Sequence, residues 1–300
     1  MQVDRVVPSG YCKGVINAIQ LARKARESYP DQPIYIMGML VHNRYVVDAF
    51  SLLGVTTLSD PALSKFEQLA RIQEGIVIFT AHGIDPKIRQ YALDKGLIVV
   101  DATCDDVTRN ADLCRHYLAE GYDVIYIGKA NHPESEAVLA LSEHIHLITR
   151  PQDLEKLLLD NQKLVMTNQT TMSMLDTAAL MAQVKEKYPH CICCPEICNA
   201  TRKRQQALLD LQGYDCLVVV GDPQSNNTAQ LANIAGQRIR KVIRVETARD
   251  LLNYDFSDCE KVAVTSGAST PSYLTSQVIG YLRTAESQYL EIDLNKILQL

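Results

Sequence analysis

Short runs of β-branched and aliphatic residues alternate with helix-length amphipathic stretches almost without break along this chain, and no other feature narrows its fold so far. Strands are expected at Val3–Val7, Ile34–Met37, Ile76–Phe79, Leu97–Val100, Val124–Ile127, Leu164–Met166, Cys216–Val220, Val242–Val245 and Lys261–Val264. Helices are expected at Gly14–Tyr29, Arg44–Leu53, Lys87–Lys95, Asp105–Glu120, Ser173–Tyr188, Ala200–Leu211, Thr228–Arg238 and Ser272–Ala285. Such alternation builds parallel sheets with crossover helices, the α/β class. Pro86, Pro151 and Pro271 each fit the start of a helix.

Three cysteines share one position in this pattern. Cys104 ends Leu97-Ile98-Val99-Val100-Asp101-Ala102-Thr103-Cys104, where a strand hands over to a helix; Cys12 follows the first strand, and Cys198 precedes the helix that starts near Ala200. They are 92 and 94 residues apart. Ligands of open α/β sheets bind at such junctions, so three similar thirds would bring three thiolates to one centre. Cys114, Cys216 and Cys259 fall in regular runs and read as core, and Cys191, Cys193, Cys194 and Cys198 form a cluster that mimics a zinc or second iron–sulfur site but lacks the usual C-x-x-C spacing. Nine cysteines, an odd number, with no signal-peptide pattern at Met1–Arg5, favour a reducing cytoplasm and free thiols or a metal site over disulfides. No run of 18 apolar residues is present, so no membrane partner is expected. With a net charge of −5 and no strong basic block, no nucleic-acid partner is expected.

Polar residues gather in the loops after the strands: His42-Asn43, Thr80-Ala81-His82-Gly83, Gly128 to Glu134, Thr167 to Thr171, Gly221 to Asn227, and Thr265 to Ser269. If the carboxyl edges of the sheets face one cavity, hydroxyls, amides, histidines and helix-start N–H groups there can hold a phosphate or diphosphate without a large positive charge. Each residue also has a plainer reading. Ser, Thr and Asn after strands are ordinarily helix caps, and Glu134 after Pro133 fits a first helical turn. Neither a P-loop nor a G-x-G-x-x-G fingerprint occurs.

Across nearly the whole chain a set of short motifs resembles the LytB family, the 4-hydroxy-3-methylbut-2-enyl diphosphate reductases. They are Gly10-Tyr11-Cys12-Lys13-Gly14-Val15, Val41-His42-Asn43, Ala81-His82-Gly83, Asp101-Ala102-Thr103-Cys104, His132-Pro133-Glu134, Asn168-Gln169-Thr170-Thr171, Ile197-Cys198-Asn199-Ala200-Thr201, Ser225-Asn226-Asn227 and Gly267-Ala268-Ser269. Each is weak alone; all of them in this order are specific.

The resemblance implies three α/β units with mostly parallel sheets, arranged pseudo-three-fold round a central iron–sulfur cluster. The units expected are 1–97, 98–192 and 193–286, with a tail at 287–300. Cys12, Cys104 and Cys198 match the ligands of one [4Fe–4S] cluster, which reads as [3Fe–4S] after oxidative loss of its apical iron. That iron has no protein ligand and takes the substrate hydroxyl. His42, His82 and His132 match substrate-binding histidines; Ser225, Asn226, Asn227 and Ser269 match diphosphate ligands; Thr170 lies near the substrate hydroxyl, and Glu134 supplies protons. The implied reaction is two-electron reductive dehydroxylation of the allylic diphosphate to isopentenyl and dimethylallyl diphosphate, the last step of the non-mevalonate isoprenoid pathway. A ferredoxin or flavodoxin would donate the electrons. Ser9, Asp105, Asn226, Ala229-Gln230 and Ala137 depart from the family pattern, and none removes a proposed ligand. The alternatives are a metal- or thiol-dependent hydrolase of a phosphorylated metabolite and a non-catalytic cluster-bearing sensor.

Overall fold

Continuous apolar runs become the middle strands of parallel sheets because helices cover both of their faces. In the structure of residues 1–300, a computed structural model, the strands Ile76–Phe79, Asp123–Ile127, Leu164–Asn168 and Cys216–Val220 are buried at every position. The order of elements is β1 (Gln2–Arg5), α1 (Lys13–Ser28), β2 (Ile34–Met37), α2 (Arg44–Leu52), β3 (Val55–Leu58), α3 (Lys65–Ala70), β4 (Ile76–Phe79), α4 (Pro86–Asp94) and β5 (Ile98–Asp101). Next come α5 (Asp105–Ala119), β6 (Asp123–Ile127), α6 (Pro133–Leu139), β7 (Ile145–Ile148), α7 (Pro151–Lys156), β8 (Leu164–Asn168), α8 (Met174–Lys187) and β9 (Ile192–Cys193). The chain closes with α9 (Asn199–Leu209), β10 (Cys216–Val220), α10 (Asn226–Gly236), β11 (Lys241–Val245), β12 (Lys261–Ser266) and α11 (Ser272–Thr284). No helix is long and apolar enough to cross a membrane.

The strands form three four-stranded sheets in the orders β3-β2-β4-β5, β7-β6-β8-β9 and β11-β10-β12-β1. Counted from β2, β6 and β10, each sheet has its strands in the order second, first, third, fourth. The last sheet takes its fourth strand from the start of the chain: β1 pairs parallel with β12, Val3 opposite Val262. Two compact units result. One holds residues 1–19, 41–55 and 199–300 with the β10 sheet; the other holds 20–40 and 56–198 with the β2 and β6 sheets.

Every strand and helix expected from the sequence is present, with ends moved by a few residues. The strands without an expectation are β3, β7 and β9. They lie at sheet edges and are half-exposed or exposed, so their sequences carry no apolar run. Helices α3, α6 and α7 have 6, 7 and 6 residues, too few to show a helical period. Pro86 and Pro151 open α4 and α7, whereas Pro271 caps α11 from outside. The tail packs back: Ile297 is fully buried and its carbonyl accepts from the Tyr11 hydroxyl at 2.8 Å.

Candidate active site

All three singled-out cysteines follow the fourth strand of a sheet and stand at the start of the next helix: Cys12 before α1, Cys104 before α5, Cys198 before α9. Each backbone N–H donates to a carbonyl two residues past the third strand of the same sheet. Cys12 bonds Ala268 at 3.0 Å, Cys104 bonds Ala81 at 3.0 Å and Cys198 bonds Thr170 at 3.1 Å. None of the three is in a disulfide, and all are partly accessible. The thiolate is the form of a cysteine that binds metal. Burial instead pushes the Cys114, Cys191 and Cys216 thiols up to about 12, which keeps them protonated packing groups. Partly accessible thiols at helix starts are suited to ligate an iron–sulfur group, as Cys12, Cys104 and Cys198 each are, and the three buried thiols are not. No three His, Cys, Asp or Glu side chains stand close enough together to hold a single metal ion.

In the unit with the β2 and β6 sheets, bonded contacts run from one cysteine to the other. Beyond Cys104 and Ala81 comes His82, whose ring meets that of His132 edge to face, centroids 5.6 Å apart. His132 caps α6, its Nδ1 accepting from the Glu134 N–H at 3.1 Å. That bond leaves Nε2 as the N–H of a neutral ring. Glu134, 1 % exposed, takes two bonds from Thr170: from the backbone N–H at 2.7 Å and from the hydroxyl at 2.9 Å. The Thr170 carbonyl accepts from Cys198. Burial raises the Glu134 pKa to about 7, and the Thr170 bonds hold it from rising further.

The other unit gathers Cys12, His42, Ser225, Asn226, Asn227 and Ser269. Ser225 caps α10 by accepting from the Thr228 N–H. Asn227 spends both ends of its amide within the protein: Oδ1 accepts from Ala268 N–H at 3.0 Å, and Nδ2 donates to the Thr201 hydroxyl at 3.2 Å. The Ser269 hydroxyl donates to the His42 carbonyl at 2.9 Å, and the His42 ring nitrogens are shielded from solvent. Gly221 and Gly267 let backbone close in on Thr228; a Cβ on Gly221 would stand 2.5 Å from the Thr228 hydroxyl. That hydroxyl is buried without a hydrogen-bond partner at the start of α10. An unsatisfied donor beside helix-start N–H groups suits a phosphate oxygen.

Several contributors carry no sequence signal. Asn110, on α5, donates to the Asn168 carbonyl at 2.9 Å and accepts from Thr167, tying α5 to the end of β8. Arg204, 4 % exposed on α9, donates to the Gly10 carbonyl at 2.6 Å and to the Ala200 carbonyl at 3.0 Å, bracing the loop before Cys12. A mid-helix arginine normally reads as solvated, and only its long-range partner reveals it.

Three copies of one parallel sheet, thiols at helix starts, a buried acid in one unit and a phosphate-suited shelf in the other define an α/β protein of the ligand-binding class. The chain belongs to the LytB family: the family model described as LytB protein matches residues 3–283. A 4-hydroxy-3-methylbut-2-enyl diphosphate reductase of Geobacillus thermodenitrificans is 46 % identical over 287 residues, 94 % of this chain and 90 % of that protein. A protein of the same description from Anoxybacillus flavithermus matches equally, 46 % over 94 % of this chain and 90 % of its own length. Among solved structures, the E-1-hydroxy-2-methyl-but-2-enyl-4-diphosphate reductase of Plasmodium falciparum superposes with a TM-score of 0.88 at 31 % identity, over 96 % of this chain and 90 % of that one.

Proposed function

We infer that this chain is an iron–sulfur oxidoreductase that reduces (E)-4-hydroxy-3-methylbut-2-enyl diphosphate to isopentenyl and dimethylallyl diphosphate, the terminal reductase of the non-mevalonate pathway. The observation that carries the reading is Glu134: a fully buried carboxyl with a pKa near 7, bonded through Thr170 to the backbone of Cys198. The near-full-length relatives and the LytB membership support it.

Overall, the allylic C–O bond breaks, two electrons enter, one proton leaves with the hydroxyl as water and a second goes to carbon. When bound at Cys12, Cys104 and Cys198, a [4Fe–4S] cluster supplies the electrons one at a time, with an iron lacking a protein ligand as Lewis acid. The chain's own residues hold the substrate and move the proton. Ser225, Asn226, Asn227, Ser269 and His42 bind the diphosphate, together with helix-start N–H groups. His132 offers its Nε2–H, and His82 packs against it. Glu134 at neutral pH is close to half protonated, the condition that suits a general acid. When Glu134 carries its proton, it donates to the Thr170 oxygen, and the Thr170 O–H is released to donate to the leaving hydroxyl. The relay is thus Glu134 to Thr170 to substrate. The division into units 1–97, 98–192 and 193–286 belongs to this reading, with β1 lent to the last sheet, and so does a ferredoxin or flavodoxin as electron donor.

The test is anaerobic turnover of the allylic diphosphate with a chemical reductant and mediator, alongside iron and sulfide analysis. Both five-carbon diphosphates should appear, with acid-labile sulfide in the protein. Phosphate release from protein that holds no sulfide would make it a hydrolase, and substrate binding without product would make it a sensor.

A further inference from the structure

Behind Glu134 lies a hydroxyl that the relay does not use. Tyr126 stands on β6 opposite Thr167 of β8 and is fully buried. Its ring packs with Cys114, Val124, Val138, Ile145 and Val165, a cluster that a phenylalanine would complete equally well. The hydroxyl is what phenylalanine lacks. It is buried without a hydrogen bond of good geometry, and it faces the side chains of Glu134 and Ser135. Gly128 closes this corner: a Cβ there would stand 2.8 Å from Tyr126 Cε1 and 2.8 Å from Ser135 Oγ. The ring edge and the first turn of α6 therefore meet across the glycine backbone, and the hydroxyl has no path to water. A buried hydroxyl left unpaired is destabilising, and a carboxylate is the strongest acceptor it can find. The Ser135 hydroxyl already donates to Gln169 Oε1 at 3.3 Å.

We propose that Tyr126 is a positioning residue for the Glu134 carboxyl, giving it a third donor besides the two of Thr170 whenever Glu134 has released its proton. The inference rests on Glu134 as the acid. A third donor fixes the rotamer of the carboxyl so that one oxygen stays on the Thr170 hydroxyl. It also lowers the cost of the buried charge between turnovers and so opposes the effect of burial. The other titratable groups that face this pair are Asp106 on α5, whose charge favours the protonated acid, His132 on the α6 cap, and Cys114 beneath the tyrosine ring.

Tyr126→Phe in the cluster-loaded protein tests this. The carboxylic C=O infrared band of Glu134, assigned by its loss in Glu134→Gln, is titrated in both proteins. Its midpoint should rise by about one pH unit in Tyr126→Phe, and the alkaline limb of the rate should move up with it while KM stays unchanged. Ser135→Ala, which removes the other oxygen facing the tyrosine, should leave the midpoint in place. A Tyr126→Phe protein with native circular dichroism and an unmoved midpoint overturns the proposal. Full turnover in Glu134→Gln would instead end the acid role of Glu134, and the infrared midpoint would still decide whether Tyr126 bonds the carboxyl.

Discussion

Glu134 is held between opposing forces. Burial favours the neutral acid, while the two Thr170 donors favour the carboxylate, and burial wins by enough to bring the pKa from 4.5 to about 7. The raised pKa makes a proton available at neutral pH, and it has a cost in stability. A carboxyl with a raised folded-state pKa contributes its full stability below its unfolded value, and the contribution is lost as pH rises through the folded value. Glu134 should therefore weaken the fold between about pH 4.5 and 7, by on the order of 3 kcal/mol in total. Glu134→Gln keeps the shape and cannot ionise. We expect it to load its cluster and show its colour normally, to lose at least about 10²-fold in turnover, and to unfold in urea later than the parent at pH 8.5 but not at pH 5. Parallel pH slopes of the two urea midpoints would show that the carboxyl is not buried as described. The sequence placed Glu134 in a first helical turn, which is correct, as α6 opens at Pro133. Its environment was not legible, because the groups around its carboxyl, Thr170 in the loop after β8 and Tyr126 on β6, are 36 and 8 residues away.

At the scale of elements, the cysteines occupy positions that helices would fill differently. Cys104 is the N-cap of α5 and makes no side-chain cap bond, whereas Ser173 and Ser225 cap α8 and α10 in the ordinary way. A residue kept where serine would cap better points to a task other than capping. Cys104→Ser should thus separate two effects. Iron and sulfide content should fall well below the parent's, while the apo-protein gains about 0.5–1 kcal/mol from the new cap. Cys114→Ser should do the reverse, keeping its iron and losing about 1–2 kcal/mol for a hydroxyl placed in apolar packing. Full iron in Cys104→Ser, measured after anaerobic reconstitution, would remove Cys104 from the ligand set. The junctions at Cys12 and Cys104 were legible because an apolar run leads into each, and Cys198 was placed by the helix after it; the middle strands Cys216–Val220 and Ile76–Phe79 were placed to the residue. The edge strands β3, β7 and β9 were not, since a half-exposed strand of two to four residues has no pattern to read.

For the whole molecule, one strand order repeats three times, and the proposed site residues follow that repetition. In each sheet the order reverses between the first and third strands, and ligands of such sheets bind at that switch point. His42, His132 and Ser225 each stand five residues past the end of a first strand, and His82 and Ser269 each stand three past the end of a third. The cysteine spacing revealed the three thirds, but it could not reveal that the third copy borrows β1, because which strands pair is settled by tertiary packing and not by chain order. The borrowed strand is well tied. Gln2 N–H bonds Glu260 O and Val6 N–H bonds Val264 O, while Arg283 donates to the Val3 carbonyl at 2.7 Å and Tyr214 to Asp4 at 3.1 Å. A chain terminus ordinarily frays; this one should not. In native-state hydrogen exchange the β1 amides should show protection close to that of β12 and far above that of the exposed tail at Gln299 and Leu300. Deleting residues 1–6 should cost about 3–5 kcal/mol through the loss of buried Val3 and Val6. It should also lower iron content, since Cys12 would lose the strand that leads into it. Fast exchange throughout β1, or a truncated protein that keeps both its stability and its iron, would mean that the last sheet is complete without the first strand.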